Sequence, residues 1–435
     1  MLLILVTCAK PPEACPGART MPGTLTLASD ADAIGFCALY DAVEGDLVIH
    51  ETRLEHLRAL NCLRCVGGSL SVSDNDALGS LRGLDALAFV GAGVSLRDNP
   101  GLTNLAGLDG LARVSGNVFI SRNEALASLA GLESLDTEAG GFWITANPSL
   151  TTLDGLTAPA ELNASFAIED NPLLVDLGAF ASVEVAREWI RLSRNASLTS
   201  LAGFGSLREA DGLTIWENTG LTDLSGLGAL ERARDLSIYG NPGIHDLSGL
   251  DSLTTVENGL GLSENGLTSL AGAPLLQTVG GLQLGESHLV DFSGLAPLTS
   301  AQLGVYHMPL LVDLAGAEAV TLSDRADIVV TDNALLRSLA GLAPPADLRR
   351  IALQDNPALV DLTALAGARR IYGDLWIRDN DALMDLSPLY ALESISGDVV
   401  IQYNAALTTA ETDAWLAAIG LDSIGGQVWI SENAP

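Results

Sequence analysis

The sequence is poor in positive charge and contains no long apolar run. Its 54 acidic residues outnumber 22 basic ones, among which Lys10 is the single lysine, and the formal net charge is −32. A surface of that sign repels the phosphates of nucleic acids and of anionic lipids, so we expect neither as a partner. No stretch of eighteen apolar residues occurs, which argues against a transmembrane helix. Any membrane attachment is therefore expected through a lipid anchor only.

The N-terminus resembles the end of a bacterial export signal. Residues 1–6 are apolar, and residues 5–8 resemble a lipobox, in which the cysteine becomes the lipidated first residue of the mature protein. We therefore predict an exported protein of the periplasm, outer membrane or cell surface. Cys8 is the candidate lipidation site, and residues 1–20 form the leader and linker.

Cysteine is absent after residue 65. If Cys8 carries lipid, four cysteines remain, an even number that is typical of two disulfides in an oxidising compartment. These four are Cys15, Cys37, Cys62 and Cys65, and the sequence does not choose among their three pairings. The spacing of Cys62 and Cys65 also permits a redox or zinc motif, but the second CxxC of a zinc ribbon is missing. We interpret residues 21–66 as a disulfide-stapled N-terminal cap with the first coil.

A repeat of about 24 residues fills the rest of the chain. An asparagine recurs at the same place in each repeat, and Thr52, Ser287 and Met308 replace it in three of them, which makes about seventeen coils. The asparagines are Asn75, Asn99, Asn123, Asn147, Asn171, Asn195, Asn218, Asn241, Asn265, Asn333, Asn356, Asn380, Asn404 and Asn433. We predict a structural role for each, in which a left-handed turn is tolerated and the amide bonds to turn backbone groups.

Two periodicities surround each asparagine. The positions five and three residues before it are apolar in every coil from Asn75 onward, as in Leu70 and Val72, which predicts a strand with one buried face. After it, leucines recur every three residues, as in Leu102, Leu105 and Leu108, which is typical of a chain that turns corners often. One coil cannot bury its own leucines, so coils must stack. The prediction is a right-handed parallel β-solenoid over residues 67–406.

The repeat resembles a known family. Residues 371–386, with Gly373, Leu375, Ile377, Asn380 and Leu383 at the repeat positions, are similar to the receptor L-domain repeat of the leucine-rich-repeat-like solenoids. That family includes ligand-binding receptor ectodomains, fungal cell-wall proteins and bacterial exported proteins. The resemblance covers about residues 45–433 and implies a fold and a recognition surface without a shared active site.

Aromatic residues occupy strand positions that should face solvent. The positions four and two residues before the asparagine are mostly Ser, Thr, Arg and Gln, but several carry large rings that folding does not require. The candidate ligand-binding residues are Phe119, Trp143, Trp216, Tyr239, Tyr306, Trp376 and Trp429. Two pairs, Phe119 with Trp143 and Trp216 with Tyr239, belong to adjacent coils and should lie one strand spacing apart. The alternative is that such pairs only stabilise the sheet.

Acidic residues immediately precede many of the asparagines, as Asp74, Asp98, Asp355 and Asp379 do. Stacked carboxylates repel one another, so bound Ca²⁺ is one interpretation. No calcium-binding motif accompanies them, and we favour a solvated rim; no metal or other cofactor is predicted.

The sequence contains no GxSxG, HExxH or P-loop motif, so no catalytic residue is assigned. We expect a recognition or adhesion protein that binds a glycan or a protein through its outward strand face. The alternatives are a structural spacer without a specific ligand and a β-helical polysaccharide-degrading enzyme. Residues 407–435 should form a short helix, from the cap Thr408 to Gly420, followed by the last coil.

Overall fold

The computed structural model describes residues 16–136 and 140–434. The chain forms two compact units, Met1–Leu207 and Arg208–Pro435, called here the first and the second unit. In each unit the strands pair in parallel with their counterparts about 24 residues away. The predicted right-handed parallel β-solenoid is confirmed.

In the residues that the structure describes, the first unit contains short strands and one α-helix. They are β1 Thr20–Met21, β2 Leu25–Leu27, α1 Asp30–Leu39, β3 Ala42–Val43, β4 Leu47–His50, β5 Cys65–Val66, β6 Leu70–Ser73, β7 Phe89–Val90, β8 Val94–Arg97, β9 Arg113–Val114, β10 Val118–Ser121, β11 Phe142–Thr145, β12 Glu161–Leu162, β13 Phe166–Glu169 and β14 Val185–Ser193. Three 3-10 helices lie at Arg58–Leu60, Gly178–Phe180 and Ala202–Phe204.

The second unit has longer strands because the two strand segments of a coil often run together. Its elements are β15 Glu209–Trp216, β16 Arg232–Tyr239, β17 Thr255–Ser263, β18 Thr278–Val279, β19 Leu282–Gly285, β20 Leu298–Tyr306, β21 Val320–Thr331, β22 Asp347–Gln354, β23 Arg370–Ile371, β24 Leu375–Arg378, β25 Ser394–Ile395, β26 Val399–Gln402, α2 Thr409–Ile419 and β27 Val428–Ser431. Its 3-10 helices lie at Ser225–Leu227, Ala317–Ala319, Thr363–Leu365, Ser387–Leu389 and Leu421–Ser423.

The core lies inside the coils. The apolar positions five and three residues before each asparagine are buried, except for Val428 and Ile430 of the last coil, which are partly exposed. The leucines at intervals of three point into the same interior; Leu102, Leu105 and Leu108 are completely buried. The backbone N–H of Leu108 donates to the carbonyl of Leu105 (3.0 Å), and the N–H of Leu111 donates to the carbonyl of Leu108 (2.8 Å). Such bonds close a turn at every third residue, which accounts for the period.

The asparagines form a hydrogen-bonded ladder within each unit. Asn123 donates its side-chain amide to the carbonyl of Leu96 (3.0 Å) and to Oδ1 of Asn147 (3.3 Å), and its backbone N–H donates to the same Oδ1 (3.2 Å). Its own Oδ1 accepts from Asn99 in the same way. Asn123 is completely buried, and these bonds satisfy it. The predicted structural role is confirmed for this residue type.

The left-handed turn belongs to a different residue from the one predicted. Asp74, Asp98 and Asp355, each directly before an asparagine, have φ of 57°, 56° and 54°. The asparagines themselves are not among the residues with positive φ. The prediction that Asn takes this conformation is therefore wrong. The residue before it is exposed or half-exposed at the turn, whereas the asparagine points its amide inward.

The ladder is interrupted in the second unit. Ser287 replaces one asparagine, and its hydroxyl donates to Sδ of Met308, which replaces the next (3.2 Å). The backbone N–H of Met308 donates to Oδ1 of Asn333 (3.0 Å), where the ladder resumes. A serine or methionine side chain has no amide, so these two coils lose the bridging bonds.

The N-terminal cap contains a disulfide between Cys37 and Cys62. Cys37 lies on α1, whose first turn is closed by a capping box between Ser29 and Asp32. Cys65 is also disulfide-bonded, so the two cysteines of the CxxC have different partners and do not form a redox pair. Cys8 and Cys15 lie outside the described residues.

The C-terminal helix agrees with the prediction. The hydroxyl of Thr408 accepts a hydrogen bond from the backbone N–H of Glu411, and α2 ends before Gly420. Trp415 and Ile419 of this helix are buried, and Leu416 is half-buried. No helix in the described residues is both long and apolar enough to cross a membrane.

Candidate functional site

The seven predicted aromatic residues all stand at outward positions of the main strands. These positions, six, four and two residues before the asparagine, are called here the outward strand face. Phe119 and Trp429 are 41% and 45% exposed, and the other five are half-buried. No fold requirement places large rings there, because the strands already bury their inward residues.

In the first unit, Phe119 and Trp143 are register partners on β10 and β11. Their ring centroids lie 4.9 Å apart and the ring planes differ by 23°, so the rings stack. A Cβ at Gly141 would lie 2.5 Å from the six-membered ring of Trp143. The missing side chain of Gly141 thus lets the indole lie flat on the strand. The predicted spacing of this pair is confirmed.

Trp189 is a further outward tryptophan of the first unit, and the sequence did not predict it as a site residue. It stands on β14 six residues before Asn195 and is 47% exposed. The sequence reasoning considered only the positions four and two residues before the asparagine, but the strand alternation continues one step further. The sequence contains the signal for an outward position, because Trp189 directly precedes the inward residue Ile190.

In the second unit, Trp216 and Tyr239 are register partners on β15 and β16. Their centroids lie 5.6 Å apart at an interplanar angle of 25°, again stacked. The spacing predicted for this pair is confirmed as well. Beyond Tyr239, the same outward column continues through Ser263 and Gly285, which are small. The stacked pair therefore lies next to a part of the sheet whose outward side chains are small.

Tyr306 lies on the other side of these small residues. It is the register partner of Gly285, and a Cβ at Gly304 would lie 2.5 Å from its ring. The ring is thus laid along its own strand over Gly304, as Trp143 is laid over Gly141. Burial raises the pKa of the Tyr306 hydroxyl above its ordinary value of 10.0, so the phenol stays protonated and able to donate at neutral pH.

Trp376 lies on an apolar part of the same face. Its register partners on the neighbouring strands are Ala352 and Val400. Ala352 is 2% exposed although it occupies an outward position, so larger neighbours cover it. The indole Nε1 of Trp376 is buried and has no hydrogen-bond partner in the described part of the chain. Val400 separates Trp376 from Trp429, so those two tryptophans are not brought together.

Two arginines flank Trp376. Arg350 precedes the inward residue Ile351 on β22, and Arg378 ends β24 as the partner of Gln354. The Nε atoms of both arginines are buried without an acceptor among the residues described. We call Arg350, Trp376 and Arg378 the arginine–aromatic patch.

The charged residues before the asparagines form ion pairs along their column. Arg122 donates two hydrogen bonds of 2.6 Å to the carboxylate of Asp98, and this holds the pKa of Asp98 below its ordinary value. Arg194 and Asp170 repeat the arrangement. Within residues 16–136 and 140–434, no group of three or more His, Cys, Asp or Glu is arranged to hold a metal ion. The column is therefore partly neutralised by its own arginines.

His307 occupies this column in the second unit. Its Nδ1 lies 2.6 Å from Oδ2 of Asp332, and this hydrogen bond raises the pKa of the imidazole above 6.5. The pair is exposed to solvent at the turn beside Tyr306.

The chain was compared with protein-family models and with curated proteins. No family model matches it, and no curated protein matches it. The geometry of the outward strand face therefore carries the functional argument alone.

Proposed function

We propose that this protein is a recognition protein that binds a glycan through its outward strand face. The observation that carries the proposal is the pair of stacked aromatic platforms, Phe119 with Trp143 and Trp216 with Tyr239. Rings that lie flat on a sheet present one face to solvent, and the apolar face of a sugar ring stacks on such a surface.

A purely structural role explains the pairs less completely. A cross-strand aromatic pair contributes about 0.5–1.5 kcal/mol beyond its burial. That contribution needs the rings to touch, but it does not need glycine at the positions under them. Gly304 lies within β20 and Gly141 directly precedes β11, and each accommodates an aromatic ring. A glycine inside a strand weakens it, so the stability of β20 alone favours a side chain at position 304.

The cellular location is part of the same proposal. The disulfide between Cys37 and Cys62 is typical of an oxidising compartment, which supports export. We also propose that the protein is an L-domain-like solenoid, and the Asn ladder and the strand pattern support this proposal. Lipid attachment at Cys8 stays a prediction, since that residue lies outside the described part of the chain.

A glycan array tests the proposal. Wild-type protein is compared with the double variant Trp143→Ala/Trp216→Ala and with the control Leu173→Ala/Met384→Ala, which removes exposed apolar side chains from the turns after the ladder. We expect the wild type and the control to bind the same glycans. The tryptophan variant should lose at least about tenfold in affinity, or about 1.4 kcal/mol.

Two results would count against the proposal. Equal binding by all three proteins would remove the stacked pairs as the site. Binding to no glycan, with capture of a protein ligand that depends on the same tryptophans, would keep the face and change the ligand class.

A further inference from the structure

We propose that the arginine–aromatic patch of the second unit binds the carboxylate of an acidic sugar, so that the glycan ligand is a uronate-type polymer. This inference rests on the proposed function and names its ligand class. Trp376 would supply the stacking surface, and Arg350 and Arg378 would supply the hydrogen-bond donors for the carboxylate.

The local charge differs from that of the chain. Over the whole sequence acidic residues outnumber basic ones 54 to 22, and an anionic ligand is repelled by such a surface. Residues 321–378 instead contain as many arginines as acidic residues. The arginines are Arg325, Arg337, Arg349, Arg350, Arg369, Arg370 and Arg378, and the acidic residues are Asp324, Asp327, Asp332, Asp347, Asp355, Asp361 and Asp374. An anion therefore meets less repulsion here than the net charge of the whole chain implies.

Several of these arginines are already engaged. Arg349 makes a bidentate ion pair with the buried carboxylate of Asp327. Arg370 does the same with Asp347 at 2.9 and 3.0 Å. A bidentate ion pair uses two N–H donors on one edge of the guanidinium. In Arg349 and Arg370 that edge is therefore not available to a ligand.

Arg350 and Arg378 are engaged much less. The guanidinium of Arg350 approaches Asp327 only to 3.7 Å, and its side chain is 35% exposed. The guanidinium of Arg378 lies 5.6 Å from the ring of Tyr403. Their Nε atoms donate to no acceptor in the described residues. A buried donor without an acceptor is unfavourable, and a small movement toward a bound carboxylate would supply each Nε with an acceptor.

The register places the two arginines on opposite sides of Trp376. Arg378 is two residues after Trp376 on the same strand, and Arg350 is two residues before Ala352, the partner of Trp376. Two residues of a strand span about 7 Å. A sugar ring stacked on the indole would thus bring a ring substituent within reach of a guanidinium on either side. Arginine is suited to this because its planar fork matches a carboxylate.

Neutralising the acidic column is the competing role for Arg378. Burial, together with the charges of Asp379 and Asp332, raises the pKa of Asp355, and Arg378 opposes that rise. If this were the sole role, replacing Arg378 would lower stability and leave ligand selectivity unchanged. The experiment therefore measures both.

The test uses calorimetric titration of the full chain with oligogalacturonate, with the same oligomer after methyl esterification, and with a sulfated glucan. The variants are Arg350→Gln and Arg378→Gln. The control is Arg337→Gln, an exposed arginine outside the strands. Thermal unfolding of each protein is recorded alongside.

We expect the wild type to bind oligogalacturonate at least about tenfold more tightly than the esterified oligomer. Each patch variant should lose about tenfold for the acidic oligomer and change little for the neutral one, whereas Arg337→Gln should bind like wild type. Tighter binding of the sulfated glucan than of the uronate would identify general anion binding and overturn the carboxylate assignment.

Failure of this inference can be separated from failure of the proposed function. If neutral glycans bind in a Trp143- and Trp216-dependent way and the arginine variants bind every oligomer like wild type, the acidic specificity is wrong and the glycan-binding face remains. If an arginine variant only lowers the unfolding temperature, its role is structural and the inference is overturned. If no glycan of any kind binds, both proposals are wrong.

Discussion

The ladder asparagine Asn171 makes hydrogen bonds to the coil before it and to the coil after it. Asn171 donates its amide to the carbonyls of Ile144 and Glu169, both at 2.9 Å, while its Oδ1 accepts from the backbone of Asn147. No water reaches these groups, because Asn171 is completely buried. A methyl group in this place would leave both donors and acceptors without partners.

We therefore expect Asn171→Ala to lower the free energy of unfolding of the first unit by about 2–4 kcal/mol, since an unsatisfied buried polar group costs about 1–3 kcal/mol. Urea denaturation followed by circular dichroism measures it. The control is Asn163→Ala, at an exposed asparagine, which should change stability by less than about 0.5 kcal/mol. Equal effects of the two substitutions would show that the ladder bonds contribute little.

A second prediction concerns pH. The hydrogen bond to Asp332 raises the pKa of His307 in the folded state, so the protonated form is favoured by folding. The stabilisation is fully present below pH 6.5, the ordinary value, and is lost as the pH rises through the folded pKa. Replacing His307 with Gln should remove this pH-dependent component.

Thermal unfolding of wild type and His307→Gln between pH 5 and 8 measures that component. The difference between the two proteins should shrink as the pH rises. A constant difference would show that the imidazole and the carboxylate are not coupled in solution.

Single residues also show where sequence reasoning stopped. The inward strand positions and the ladder were predictable, because a period of two and a fixed Asn are visible in the sequence. The left-handed residue was assigned wrongly, because Asp and Asn both tolerate that conformation and only burial separates them. Arg350 and Arg378 were not singled out, since an arginine on a strand is ordinary until its register partners are known.

The N-terminal coils are connected by elements that the later coils do not share. The first coils are joined by α1 and by the disulfide between Cys37 and Cys62, which closes a separation of 25 residues. Helix α1 was not predicted, although Ser29 and Asp32 form a capping box that the sequence displays. Its ten residues have only two buried side chains, Ala33 and Phe36, so the apolar period is too weak to recognise.

We expect Cys37→Ser/Cys62→Ser to destabilise the cap by about 3 kcal/mol, because the cross-link reduces the entropy of the unfolded chain. Limited proteolysis should cut near α1 in this variant, while the later coils stay resistant, because each coil depends mainly on its neighbours. Uniform loss of resistance along the whole chain would contradict a local role for the disulfide.

For the whole molecule, the distribution of tryptophan separates folding from recognition. Of the six tryptophans, Trp415 is a residue of α2 and is completely buried. The other five are Trp143, Trp189, Trp216, Trp376 and Trp429, and each stands on the outward strand face. The hydrophobic effect alone would favour burial of these five side chains in the core. The central claim is that this face is the binding surface.

Tryptophan fluorescence tests that claim most directly, because the emission of outward indoles responds to a ligand that covers them and the emission of Trp415 does not. The wild type is titrated with the strongest glycan from the array, and the binding constant is measured independently by calorimetry. We predict a saturable change in emission with the same midpoint as the calorimetric titration, and a smaller change for Trp143→Ala/Trp216→Ala. Saturable binding in calorimetry with unchanged tryptophan emission would contradict the account.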